Sequence, residues 1–449
     1  MEKQIYNKLN ELMNTKGNKA KSMWVKNNLS EKNELNDLIM YALNIQFDPR
    51  IKTNLAKKSM KMDISDIDYN EVIVDTKSLF DYATTKCTGK DIDIVNILTY
   101  LNNVEGSYGK DVRGMMENII IRNLKLGITG KAINEAIGRN EIYVYDIWKG
   151  HGLKDMSKLK NRDVIVSDKI DGYRSTIRAG KEVYSANGIP QPIENFPEIH
   201  AVIKTLDKSI IETHIIDGEM IYNKEPKMDR ITRYNKTSSI MGSDGLKYDL
   251  TLKSFDLVPI DEFEKGISVD GTLSRKNKLK DLLKDSNCEV EYLEPLYIGN
   301  DVSMIQDLFA DAIRKGDEGL ILQTVDSKYE TRKVSDGMWK LKVRETADLR
   351  VVGFEEGKET GKNKGTLGMM LVEYKGSICG VGSGFKELIN IEKYPTESTR
   401  DWIWENRESL IGKIAEIEYD ENKDKNGNYN LRHGSFLRWR FDKTEPSLS

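Results

Sequence analysis

Three cysteines and four histidines among 449 residues leave little material for thiol or imidazole chemistry. Cys87, Cys288 and Cys379 lie far apart and form no CxxC pair, which argues against a cysteine-ligated zinc module or a disulfide framework. His151, His200, His214 and His433 are equally scattered, so any metal is expected to be hard and oxygen-bound. The opening stretch MEKQIYNKLNELM is charged and patterned like a helix, so neither a signal peptide nor a membrane anchor is expected, and a cytoplasmic setting follows. Positive charge is not in excess either. Lys and Arg total 69 against 72 Asp and Glu, a formal net charge of −3. This balance neither supports nor excludes a nucleic-acid partner, because phosphate binding needs only local positive charge.

What is present is length and pattern. At about 150 residues per domain the chain suggests three units. Residues 1–150 read as all-α: Leu9, Leu12 and Met13 share a helical face, as do Leu35, Leu38, Ile39 and Leu43, and later Val112, Met115, Met116, Ile119 and Ile120. Thr129 is placed to cap a helix from Gly130 to Ile137, after a glycine-containing turn at Gly127. Residues 151–346 switch to short β-like runs, VIV at 164–166, STI at 175–177, ETHII at 212–216, LKSFDLV at 252–258 and LILQTV at 320–325, with a helix near Met304 to Ile313. That is the pattern of an α+β domain. Residues 347–449 carry about five short strands with glycine turns and a helix near Glu397 to Leu410, the rhythm of a small closed OB-fold β-barrel. The segment ENKDKNGNYN, 421–430, reads as a polar loop, and Glu345 to Leu349 as a hinge.

The chemistry concentrates in SDKIDGYRS. Lys169 and Asp171 are two apart and face one way if extended, Gly172 allows a turn, and Arg174 follows. A lysine amine, with an ordinary pKa near ~10.4, acts as a nucleophile only when burial or nearby cations strip its proton. Lys340 and Lys342 alternate with Trp339 and Leu341, so on a strand both amines share one face, as a phosphate clamp requires. A half-buried strand with a solvated charged face is the plainer alternative, as core packing is for Phe255 and solvation for Glu219 and Glu318.

These residues resemble the covalent nucleotidyltransferase superfamily, specifically ATP-dependent DNA ligases of phage and viral, T4-like type. Lys169 falls where that family has its nucleophile in KxDGxR, with Arg174 as the family arginine. Ser185, Asn187 and Gly188 resemble the SRNG element, and Asp217, Gly218 and Glu219 the DGE element. Phe255 with Asp256 resembles the aromatic nucleotide-stacking element, Glu318 with Gly319 the EG element, and Lys340 with Lys342 the KxK element. The tail LRHGSFLRWRFDK, 431–443, resembles the last motif, and IIRNLKLGITGKAINEAI the helical DNA-binding region of T4-like ligases.

The resemblance implies that Lys169 takes AMP from ATP and that the chain then seals nicks in double-stranded DNA, as a monomer encircling the duplex in the cytoplasm of a host cell. It implies nucleotide contacts from Arg174, Glu219, Phe255, Glu318, Lys340 and Lys342. Glu219 and Glu318 are the implied holders of Mg²⁺, or of Mn²⁺ as a substitute. Arg438, Arg440 and Lys443 would address the β- and γ-phosphates once the C-terminal domain closes. Two positions depart from the family pattern. Ala186 stands where SRNG has its arginine, which puts recognition of the nick 5′-phosphate in doubt and leaves Arg178 or Lys181 as stand-ins. Gly434 replaces a common proline. The alternatives are an RNA ligase-like nucleotidyltransferase and a non-catalytic nick-binding protein.

Overall fold

The computed structural model describes residues 1–449 apart from 66, 69, 154, 226, 332–333, 343–344, 359–362, 387–395, 424–426 and 449. The N-terminal third is helical. Ile5, Leu9 and Leu12 lie on the buried face of the helix Glu2–Asn14, and a continuous apolar cluster reaches from Ile5 to Ile142. The helix Gly130–Ile137 starts at Thr129, whose hydroxyl accepts from the Ala132 amide at 3.2 Å, and stops at Gly138 in the left-handed region. Lys21, almost fully buried, ties two segments together: its ammonium donates to the carbonyls of Leu12 and Leu126, both at 2.7 Å.

The central region holds two sheets. One is five-stranded, in the order 149–152, 334–342, 319–324, 164–168, 297–299; the other is six-stranded, in the order 190–192, 182–185, 173–178, 214–222, 250–259, 290–292. The first sheet buries Val164, Val166, Leu320, Leu322 and Trp339 against Ile305 and Ala312 of the helix Val302–Lys315. Since side chains alternate along a strand, the residues between them point to the opposite side, toward the six-stranded sheet. The ETHII run starts its strand later than its composition suggests, at His214, because a short helix, Lys208–Ile211, precedes it.

The C-terminal strands form a curled antiparallel sheet in the order 377–381, 367–374, 345–356, 414–423, 429–439. Its two edges approach through a bridge between Ser383 and Ser435, with the Phe436 amide donating to the Ser383 carbonyl at 2.9 Å. The result is a half-barrel rather than the fully closed barrel expected. The strand Glu345–Glu356 serves both halves, pairing first with 414–419 and then with 367–372. The expected hinge at Glu345 to Leu349 is therefore strand, in register with Tyr419 to Ala415. The helix expected near Glu397 to Leu410 is broken into Arg400–Glu405 and Arg407–Leu410. Strands also enter the predicted polar loop from both sides, reaching Lys423 and resuming at Tyr429, while 424–426 fall outside the described residues. Among the described residues no helix is long and apolar enough to cross a membrane.

Candidate active site

Between the two central sheets lies a cavity of ≈ 250 Å³. Strand alternation decides which side chains enter it. From the five-stranded sheet come Ser167 and Lys169, Ile321 and Gln323, and Met338 and Lys340; from the six-stranded sheet come Arg174, Glu219 and Phe255. The register sets them in rows. The Lys169 amide donates to the Gly319 carbonyl at 2.9 Å and Gly319 pairs with Lys342; one row on, Ser167, Ile321 and Lys340 stand abreast; beyond them come Gln323 and Met338.

Lys169 is at one end, just past the strand Val164–Asp168, and its ammonium donates to Glu318. Lys342 is 3.7 Å from Glu318 and 3.0 Å from Asp420 of the C-terminal sheet. Burial lowers the pKa of Lys340, and the neighbouring Lys169 and Arg174 push it the same way. Glu219 behaves oppositely: burial pushes its carboxyl up to about 8, against the pull of Arg174 and Lys169. Arg174 does not offer a loose charge. Its guanidinium grips Asp217 at 3.1 and 2.7 Å and the Trp148 carbonyl at 2.9 Å, so it positions more than it neutralises.

Phe255 owes its orientation to an irregularity. Asp217 pairs with Asp256 and Gly218 with Ser254, so Phe255 is the extra residue of a β-bulge and its ring turns toward the cavity, 5.2 Å from the Arg174 guanidinium. Glycine is required nearby. Gly319 has φ +139°, and a Cβ there would overlap the Leu341 carbonyl oxygen.

The structure thus gathers Lys169, Arg174, Glu219, Phe255, Glu318 and Lys340 around one cavity, with Lys342 at its rim in an adjoining groove. It does not bring Arg438, Arg440 and Lys443 there. Arg438 bonds Glu416 at 2.6 Å, Arg440 bonds Asp348 at 2.8 Å and Asp442 at 2.7 Å, and Lys443 also bonds Asp348. The residue that the C-terminal sheet does present is Arg432, which lines the cavity, reaches Asp171 at 3.5 Å and covers the Tyr234 ring at 4.2 Å. Asp171 is also held by Arg230 at 2.7 Å. Ala186 packs against the aromatic cluster of Tyr145 and Tyr184, and neither Arg178 nor Lys181 lines the cavity. Arg178 is paired with Glu264.

Sequence reasoning passed over Arg230, Arg432, Lys276 and Asp420. Arg432 lay within the recognised tail without being singled out. Lys276 stands in the polar run Ser274-Arg275-Lys276-Asn277-Lys278, and nothing local marked it as cavity-lining.

Residues 150–342 match the family model described as ATP dependent DNA ligase domain. A Drosophila melanogaster protein, DNA ligase 1, is 25% identical over 345 residues, covering 71% of this chain and 42% of that protein. A DNA ligase of Methanoculleus marisnigri is 26% identical over 306 residues, 63% of this chain and 52% of its own. A probable DNA ligase of Beutenbergia cavernae is 25% identical over 303 residues, 64% and 57%. The chain spans about half the length of the curated relatives it matches. The solved structure Pmar-Lig_Pre aligns over 97% of this chain and 99% of its own, with a TM-score of 0.73 and 22% identity, which shows a shared fold. These relatives include an insect and an archaeal protein, a wider range than the phage and viral group the sequence elements resemble.

Proposed function

We propose that this chain is an ATP-dependent DNA ligase that loads AMP onto Lys169 and seals nicks in duplex DNA. The observation that carries the reading is the convergence of Lys169, Arg174 and Lys340 with Glu219 and Glu318 around one cavity, inside the segment that matches the ligase domain model.

In this reading the Lys169 ammonium leaves Glu318, releases a proton to water and attacks the α-phosphorus of ATP as the neutral amine. A nitrogen–phosphorus bond forms as the bond to pyrophosphate breaks. Lys340 meets the α-phosphate, Arg174 stays on Asp217 and fixes the strand beside it, and Phe255 offers a flat face to the adenine. AMP then passes to the 5′-phosphate of the nick, and the 3′-hydroxyl displaces it. Glu219 and Glu318 fit a divalent cation by donor type: both carboxylates line the cavity, and Mg²⁺ takes one or two carboxylates with phosphate oxygens and water completing its shell. Mg²⁺ or Mn²⁺, if held by these two carboxylates, would supply positive charge for the phosphoryl oxygens.

Arg438, Arg440 and Lys443 are assigned to the β- and γ-phosphates, which requires the C-terminal sheet to turn and present another face. A division into 1–150, 151–346 and 347–449 is supported by separate apolar clusters in the first and last of these segments, and the half-barrel is read as an OB fold. Action as a monomer encircling nicked DNA, and a phage or viral origin in a host cytoplasm, rest on the sequence elements alone.

The test is incubation with α-labelled ATP, GTP or NAD followed by denaturing electrophoresis, with and without Lys169→Ala. Label from ATP alone, absent in the variant, is expected. No label from any nucleotide would leave a non-catalytic nick-binding protein.

A further inference from the structure

The end of the cavity away from Glu318 holds polar groups that the chemistry on phosphorus does not use. Lys276, on the helix Thr272–Leu283, is 1% exposed and lines the cavity; its ammonium donates to the Phe255 carbonyl at 2.9 Å. An ammonium has three N–H donors, and leaving buried donors unmet is costly. Its neighbour Arg275 is locked to Asp256 at 2.7 and 3.0 Å, both fully buried, which fixes the helix and with it the position of Lys276. Burial also lowers Lys276 to about 8, so the group gives up its charge readily while remaining a donor. Across the cavity, Ser167 is 3% exposed with its hydroxyl lacking any partner among the described residues, two positions before Lys169 on the same face. Gln323, 2% exposed, also lines the cavity. Leu293, Ile321 and Met338 supply apolar walls beside the Phe255 ring.

We infer that Lys276 selects the nucleobase by donating to N1 or N7 of the ring, with Ser167 and Gln323 accepting from the exocyclic amino group. The inference rests on the nucleotide reading above and adds what that reading lacks, a way to tell one base from another. The fit is chemical. Adenine stacked on Phe255 has apolar faces, ring nitrogens N1, N3 and N7 that only accept, and an amino group that donates, whereas the N1–H of guanine donates. Lys276 donates from either protonation state, whereas a hydroxyl and an amide oxygen accept. Contacts to a base remote from phosphorus are made equally before and during the reaction, so they act on KM and leave the saturated rate alone.

The experiment measures self-adenylation of the full chain with ATP, 1-deaza-ATP and 7-deaza-ATP, each analogue lacking one ring acceptor. In the unaltered protein one analogue is expected to raise KM about tenfold with little change in the saturated rate. In Lys276→Met the KM for ATP rises by a similar factor and the penalty for that analogue disappears. The inference is overturned if the unaltered protein treats both analogues as ATP, or if the penalty survives in the variant. Should Lys276→Met fail to fold, Ser167→Ala decides. Purine riboside triphosphate, which lacks the amino group, is expected to lose its disadvantage against ATP in that variant, and undiminished discrimination overturns the inference. No adenylation by ATP at all would sink the ligase reading and this inference with it, whereas adenylation without the coupling sinks the inference alone.

Discussion

Arg174 holds Asp217 through two parallel hydrogen bonds of 3.1 and 2.7 Å, with the Asp217 side chain fully buried and the Tyr329 hydroxyl donating to it at 2.6 Å. Such a pair is costly to break from one side, because the abandoned charge stays in a poorly solvated place. Asp217→Ala is therefore expected to destabilise the fold by about 3–5 kcal/mol. Urea denaturation followed by fluorescence measures it, and a loss below about 1 kcal/mol would show that Arg174 finds water instead.

Glu219 makes stability depend on pH. Its carboxyl is pushed up to about 8 from an ordinary value of 4.5 by burial, so the folded protein binds a proton there that the unfolded chain has released. Stability contributed by the protonated group is full below about 4.5 and falls as pH rises toward about 8. Melting temperatures of the metal-free protein between pH 5 and pH 8.5 should decline more steeply than those of Glu219→Gln, at about 2–4 °C per kcal/mol. Parallel curves would contradict the assignment.

Gly319 follows Glu318 and opens the strand Gly319–Thr324, with φ +139° and no room for a Cβ beside the Leu341 carbonyl. Gly319→Ala forces that backbone to shift, and Glu318 and the carbonyl that receives the Lys169 amide move with it. Formation of lysyl-AMP is expected to slow by at least about tenfold, since small displacements of a nucleophile are expensive. Unchanged single-turnover labelling would show that the row tolerates the movement.

Arg438 separates the two roles of the tail. Its side chain is 65% exposed and bound only to Glu416 among the described residues, whereas Arg440 and Lys443 anchor on Asp348, which is nearly buried. Arg438→Ala is expected to leave the melting temperature unchanged and to slow self-adenylation by about tenfold while sparing the sealing of pre-adenylated nicks. Equal loss of both activities would place Arg438 on DNA rather than on the triphosphate. Arg440→Ala should instead lower the melting temperature as well.

Much of this was readable locally. The alternation of Trp339 and Leu341 with Lys340 and Lys342 declared a strand with two faces, and Thr129 declared a helix start, because periodicity and capping act over a few residues. The spacing of Lys169, Asp171, Gly172 and Arg174 likewise singled out a stretch that the structure places at the cavity wall. Only the tertiary structure decided what meets Lys169. Glu318 lies 149 residues away and arrives through strand register, and the ring of Phe255 faces the cavity because a bulge adds one residue to its strand. The same distant packing engaged Arg174 with Asp217, delivered Lys276 to the wall behind Phe255, and held the tail cations on Asp348 and Glu416 in place of Arg432 at the cavity. Residue type determined which groups were capable of chemistry. Register, bulge and burial determined which of them share one space, and those are sums over contacts that no short window of sequence contains.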